Sequence, residues 1–290
     1  MTRRYRPVNE PVSEIFDERR CELGEGPLWH PGRRQLFWFD ILNKRLMSNE
    51  NGAAKSWQFD EYVSAAGWVS DTELLVASAS MLFLFDLDTA ASRKLTDLEA
   101  DNPVTRSNDG RADPKGGFWI GTMGLDAEPG AGSIYRYYKG ELRKLFGGIT
   151  ITNAISFSPD GTTAYFADTE SQLLQRTALD EEGWPTGEPM LFRDFSEEGF
   201  FPDGAVVDSE GFLWNAQWGA GRVARYAPDG RFAGEVSLPA GQTTCPAFGG
   251  PDLQTLFVTS AAIGLSGEAD GKTWSSSTGV RGQAEYRVIL

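Results

Sequence analysis

The stretch Gly199–Gly230, GFFPDGAVVDSEGFLWNAQWGAGRVARYAPDG, decides the fold. A short apolar run (AVV) meets the turn Asp208–Gly211 (DSEG), and a strand rich in tryptophan follows. A glycine break then leads to RVARY and the turn Ala227–Gly230 (APDG). Alternating apolar and aromatic runs bounded by Gly, Pro, Asn and Asp clusters read as consecutive antiparallel strands. One piece does not fit this grammar. Pro202-Asp203-Gly204 has the composition of a turn, yet it stands where the first strand begins.

The same grammar recurs. GPLWHPGRRQLFWFDILNKRLMSN opens a first copy and AAGWVSDTELLVASASMLFLFDLDT a second. GRADPKGGFWIGTMG falls in a third, AISFSPDGTTAYFADTESQLLQRTAL in a fourth, and CPAFGGPDLQTLFVTSA in a sixth, with the quoted stretch as the fifth. The copies start roughly 42 to 50 residues apart, the period of a four-stranded propeller blade. A lone blade leaves two faces bare, whereas six in a ring cover one another. The pattern therefore predicts an all-β, six-bladed β-propeller of four-stranded antiparallel blades, with residues 1–290 as one domain. Ring closure is expected to pair a strand near Val12–Phe16 with Glu285–Leu290.

Composition narrows the function. With 27 Lys and Arg against 41 Asp and Glu, the formal charge is −14. That balance argues against nucleic acid and anionic membrane surfaces as partners, and it favours cations. The N-terminus MTRRYRPVNEPVSE has no apolar secretory segment, and no window is long enough to span a bilayer. Cys21 and Cys245 make no disulfide framework, so a reduced, cytoplasmic setting is expected. His30 is the single histidine and lies in the turn-like Trp-His-Pro-Gly, which leaves no multi-histidine zinc site.

Aligning the copies on their first turn bears on Pro-Asp-Gly. Five residues before that turn stand Glu25, Ala65, Asn108, Asn153, Asp203 and Thr244 in the six copies. Innermost strands line the channel of a propeller, so five oxygen-bearing side chains converge near its axis. Taken singly, Asn, Asp and Thr there also suit ordinary turn chemistry. Glu25 does not, since Glu is no turn former. Inward carboxylates repel unless a positive charge lies between them, and hard oxygens suit Ca²⁺, Mg²⁺ or Mn²⁺, with Zn²⁺ or Fe(II) also accepted.

These segments resemble the gluconolactonase family, which includes senescence marker protein (regucalcin) and bacterial sugar lactonases. The likeness runs in order over nearly the whole chain: Leu23–Trp29 (LGEGPLW), Arg106–Gly110 (RSNDG), Gly121–Met123, Thr152–Ala154 (TNA), and Phe201–Gly204 (FPDG). Gly219–Arg222 and Phe248–Gly250 match further blade signatures. The resemblance implies one divalent ion held by Glu25, Asn153 and Asp203, with Asp203 also the catalytic base. It implies Arg106, Asn108 and Asp126 as substrate contacts. The reaction it implies is hydrolysis of an aldonolactone, such as a gluconolactone, xylonolactone or arabinonolactone, to the sugar acid. There are two departures. Ala154 stands where the family usually has glycine, with a methyl expected to narrow the pocket, and Asp126 replaces a longer glutamate of some relatives.

Several residues carry two readings. Arg106 offers a fixed fork of donors to sugar hydroxyls, or forms a surface ion pair with Asp101, Asp109 or Asp113. Asp109 is a pocket residue or a turn cap. Trp119, Trp214 and Trp218 wall a sugar ring or fill inter-blade core. Asp168 supports the site or simply shapes its turn. For the whole chain, the competing functions are a metal-dependent arylesterase or phosphotriesterase and a non-catalytic calcium-binding propeller.

Overall fold

The computed structural model describes residues 12–50 and 52–290. Strand β1 (Ser13–Asp17) comes first. The first blade is β2 (Gly24–His30), β3 (Gln35–Asp40), β4 (Arg45–Glu50) and β5 (Ala53–Gln58). The second is β6 (Val63–Trp68), β7 (Glu73–Ser78), β8 (Met81–Asp86) and β9 (Ser92–Asp97). The third is β10 (Thr105–Ala112), β11 (Phe118–Gly124), β12 (Gly132–Tyr138) and β13 (Glu141–Ile149). β14 (Thr152–Phe157), β15 (Thr163–Asp168), β16 (Leu173–Leu179) and β17 (Pro185–Asp194) form the fourth. β18 (Phe201–Val207), β19 (Leu213–Trp218), β20 (Arg222–Tyr226) and β21 (Phe232–Ser237) form the fifth. The sixth combines β22 (Gln242–Gly249), β23 (Thr255–Ala261) and β24 (Thr273–Ser277) with β1 as its outer strand. All pairings within blades are antiparallel, and the six inner strands touch one another in sequence around a closed ring. The chain is a six-bladed β-propeller.

Strand periodicity explains how blades stack. Successive side chains point to opposite faces. In β3, Phe37 and Phe39 pack towards the second blade, while Leu36 and Trp38 pack towards the sixth. In β11, Phe118 and Ile120 face the second blade and Trp119 the fourth. Both faces are core, so middle strands such as β3 are buried along their length and largely apolar, while outer strands such as β5 face solvent. Trp119 and Trp214 are fully buried inter-blade core and not sugar-facing walls. Each donates its indole N–H to a buried carboxylate, Asp113 at 3.2 Å and Asp208 at 2.9 Å. Arg136 and Arg225 pair with those same carboxylates at 2.6 and 2.7 Å. The first-turn aspartates of these two blades are thus ion-paired braces.

Closure differs from expectation. β1 pairs with β24, Ser13 opposite Ser276 and Ile15 opposite Trp274, and not with Glu285–Leu290. That C-terminal segment crosses the channel's far end instead. Gln283 donates to the carbonyls of Phe157 and Val207, the ends of β14 and β18. Glu285 pairs with Arg111 of β10 and receives the Trp68 indole at its carbonyl. These inner-strand ends have no further blade strand to meet, and the tail satisfies them.

Candidate active site

Each inner strand shifts register against its neighbour within the first few residues, a β-bulge present in all six blades. Bulges re-aim side chains. In the first and fourth blades the residue after the aligned oxygen has positive φ, Gly26 at 53° and Ala154 at 60°. An alanine held there is strained by about 1–2 kcal/mol. Its methyl packs among Ala205, Val207 and Leu213 in the core between the fourth and fifth blades, so it does not narrow the cavity.

Pro202-Asp203-Gly204 now has a structural explanation. The Pro202 carbonyl accepts from Thr169 at 2.7 Å. A Cβ on Gly204 would lie 2.3 Å from the Cys245 sulfur of β22, so only glycine lets the two inner strands approach. Asp203, between them, lines the axial cavity.

That cavity is about 390 Å³ and collects Glu25, Arg106, Asn108, Asn153 and Asp203 from four blades. Each of the five is buried. Glu25 and Asp203 are hydrogen-bonded to each other through their side chains. Glu25 Oε2 accepts the Gly26 amide at 2.7 Å and Asp203 Oδ1 the Gly204 amide at 3.0 Å. Burial, with the charge of Asp109 behind it, pushes Glu25 up to about 8. Burial and the adjacent Glu25 hold Asp203 well above its ordinary range. Asn108 donates to Asn153 Oδ1 at 3.2 Å and to the Thr152 carbonyl at 2.9 Å, while its own oxygen accepts Arg106 at 2.8 Å. Burial lowers Arg106 to about 10. Arg106 is therefore an internal cavity residue and not a surface ion pair.

Other aligned or matched positions fall elsewhere. Thr244 turns away, donating to the Gly24 carbonyl at 2.6 Å and bonding Thr259 at 2.8 Å. Asp109 lies behind the ring and accepts the Ile155 amide at 2.7 Å; burial raises it to about 6. Asp126 is in the exposed turn after β11 and does not line the cavity. Asp168 accepts the Thr150 and Ile151 amides at 3.1 and 3.0 Å and so shapes the approach to β14. Asp40 does the same for Leu23 at 3.2 Å.

Those braces reveal a second tier. Leu23, Ile151 and Phe201 stand two residues before Glu25, Asn153 and Asp203, the first two just ahead of β2 and β14, and all three line the cavity. Arg106 holds the corresponding place before Asn108, the one charged member of an otherwise apolar collar on these four strands. Trp218, at the end of β19, and Met123, in β11, complete the wall. Thr169 is a further member: its hydroxyl accepts Asn153 Nδ2 at 2.8 Å while donating to Pro202. Its only sequence signal is its place at the end of the fourth copy's second strand.

Among the described residues no cluster of three or more His, Cys, Asp and Glu side chains has metal-site geometry. The oxygen set here is two carboxylates and an amide. It fits a hard divalent cation, because two buried carboxyl groups share one cavity with Arg106 as its single cationic side chain.

The fold and site define a β-propeller whose inner strands bring two carboxyl groups together at the base of a largely apolar cavity. Residues 23–262 match the family model described as the SMP-30/Gluconolactonase/LRE-like region, and the chain belongs to that family. It is 37% identical to the L-arabinolactonase of Azospirillum brasilense, over 88% of this chain and 86% of that protein. It is 36% identical to the 6-deoxy-6-sulfogluconolactonase of Pseudomonas putida, over 85% and 86%. Its fold matches that of a solved calcium-binding protein, regucalcin, from Agrobacterium tumefaciens, with a TM-score of 0.93, 42% identity and 98% of each chain covered.

Proposed function

We propose that this protein hydrolyses a sugar lactone, an aldonolactone, to its sugar acid, using one divalent cation held by Glu25, Asn153 and Asp203. The observation that carries the reading is the buried contact between the Glu25 and Asp203 carboxyl groups, brought from the first and fifth blades to one cavity. When bound, the cation supplies Lewis-acid polarisation of the lactone carbonyl and stabilises charge developing on oxygen.

The chain's own residues do the rest. Asp203 accepts the proton of the attacking water, its carboxyl group oriented by the Gly204 amide on Oδ1. Arg106 orients the substrate through ring hydroxyls, its guanidinium aimed by the Asn108 oxygen and the Ser107 carbonyl. Asn108 ties that guanidinium to Asn153, so the substrate-facing and cation-facing groups are set by one amide. Trp218 and Phe201 offer an apolar wall to the sugar's C–H face. Asp126 would reach the substrate only from its exposed turn, so we assign it a peripheral part.

The test is to strip divalent ions, then measure acid release from gluconolactone, xylonolactone and arabinonolactone with each ion restored. Ion-dependent hydrolysis is the expected result. Ion binding with no turnover of any lactone would favour the second reading, a calcium-binding propeller, which the hard-oxygen donor set also supports.

A further inference from the structure

We infer that the pocket takes uncharged lactones and rejects those bearing an anionic group on the exocyclic carbon, and that Glu170 sets this preference; the inference rests on the lactonase reading above. The reacting carbonyl must sit deep, beside Glu25 and Asp203, so the opposite end of the sugar faces the mouth. There the cavity presents Glu170, an exposed carboxylate in the turn between β15 and β16. Among the described residues lining the cavity, the charges are Glu25, Glu170 and Asp203 against Arg106 alone. A divalent cation balances the two deep carboxylates. What remains is Arg106, buried and engaged by Asn108, and Glu170 at the opening.

A phosphate or sulfonate needs charge-assisted donors. In the collar only Arg106 is such a donor, and its Nη1 is already held by the Ser107 carbonyl and the Asn108 oxygen, while Leu23, Ile151 and Phe201 offer none. Glu170 adds repulsion, and the chain's formal charge of −14 acts in the same direction. Its position is fixed by the turn around it. The Thr169 amide donates to the Ile151 carbonyl at 3.0 Å, and Gln172 Nε2 donates to the Phe200 carbonyl at 3.1 Å. These bonds hold the backbone of the turn, so the Glu170 side chain extends from a fixed base beside the mouth.

The experiment compares kcat/KM for a hexonolactone and its 6-phosphate in the ion-loaded wild type, Glu170→Gln and Glu170→Lys proteins. Low and high salt are both used. Calorimetry measures binding of the aldonic acid and its 6-phosphate to the same proteins. The wild type should favour the member of each pair that lacks the phosphate. Glu170→Gln should shrink that preference about tenfold and Glu170→Lys further, with the differences fading at high salt as expected for partly exposed charges. Equal use of both lactones by the wild type would overturn the inference. So would a neutral-to-anionic ratio that Glu170→Gln leaves unchanged, or that salt does not move. If no lactone is hydrolysed, the lactonase reading fails, and the binding ratio alone decides the role of Glu170. Failure of both acids to bind would count against both readings.

Discussion

The Thr169 hydroxyl accepts the side-chain amide of Asn153 at 2.8 Å, and through its own proton it is tied to the Pro202 carbonyl. One hydroxyl therefore sets the distance between the fourth-blade amide and the strand that carries Asp203. Thr169→Val removes the acceptor of Asn153 Nδ2 and leaves the amide held only through Asn108 at its oxygen. Loss of such an outer partner weakens ion binding about tenfold or more and destabilises the fold by about 1–3 kcal/mol. Calorimetric titration of the ion-free protein with calcium and manganese measures the first effect, with Thr169→Ser as the rescuing control.

Asp203→Ala should abolish ion-dependent acid release, a loss of about a hundredfold to ten-thousandfold for the general-base role alone. The variant should stay folded. In ion-free protein near pH 8 it should melt no lower than wild type, because one of two buried carboxyl groups that resist ionisation is gone. A melting curve and an activity assay on the same sample check both halves. Full activity in this variant would remove Asp203 from the reacting centre.

The two deep carboxyls also fix how stability responds to pH. Folding raises Glu25 from 4.5 to about 8 and raises Asp203 above its ordinary value. The folded state then binds more protons than the unfolded chain between those values. Their contribution is fully present below about pH 4 and is lost as pH rises towards 8, at about 1.4 kcal/mol per proton per pH unit. Ion-free protein should therefore lose melting temperature from pH 5 to pH 8. Saturating divalent cation should flatten the loss and release protons into an unbuffered solution.

Asp208 is a structural counterpart, away from the cavity. It accepts the Trp214 indole and two guanidinium bonds from Arg225 in a fully buried setting. Asp208→Ala strands Arg225 with the partly exposed Glu210. Urea unfolding should show about 3–5 kcal/mol of lost stability, the range for breaking a buried pair from one side. Any loss of activity should follow from unfolding.

The blades were legible because a strand buried on both faces needs apolar residues at nearly every position, a demand that QLFWFD and FLWNAQW meet openly. The five-residue spacing also located the oxygens that meet at the axis, since each copy repeats the same strand before the same turn. It mislocated Thr244, whose hydroxyl prefers the Gly24 carbonyl and Thr259. Leu23, Ile151 and Phe201 look like any strand residues until the ring brings them together. Closure by β24 was obscured because the C-terminal stretch is also apolar, yet it serves inner-strand ends and not an outer edge. The Ala154 methyl was misread for a similar reason: the bulge turns it into core.

The tail that caps the far end of the channel turns a tunnel into a cul-de-sac. Gln283 and Glu285 bridge β14, β18 and β10 at that end, so in the proposed reaction lactone and acid would share the opening beside Glu170. Each turnover must vacate that opening before the next can start. The sugar acid should therefore act as a competitive inhibitor, raising KM with its concentration while the maximal rate stays constant.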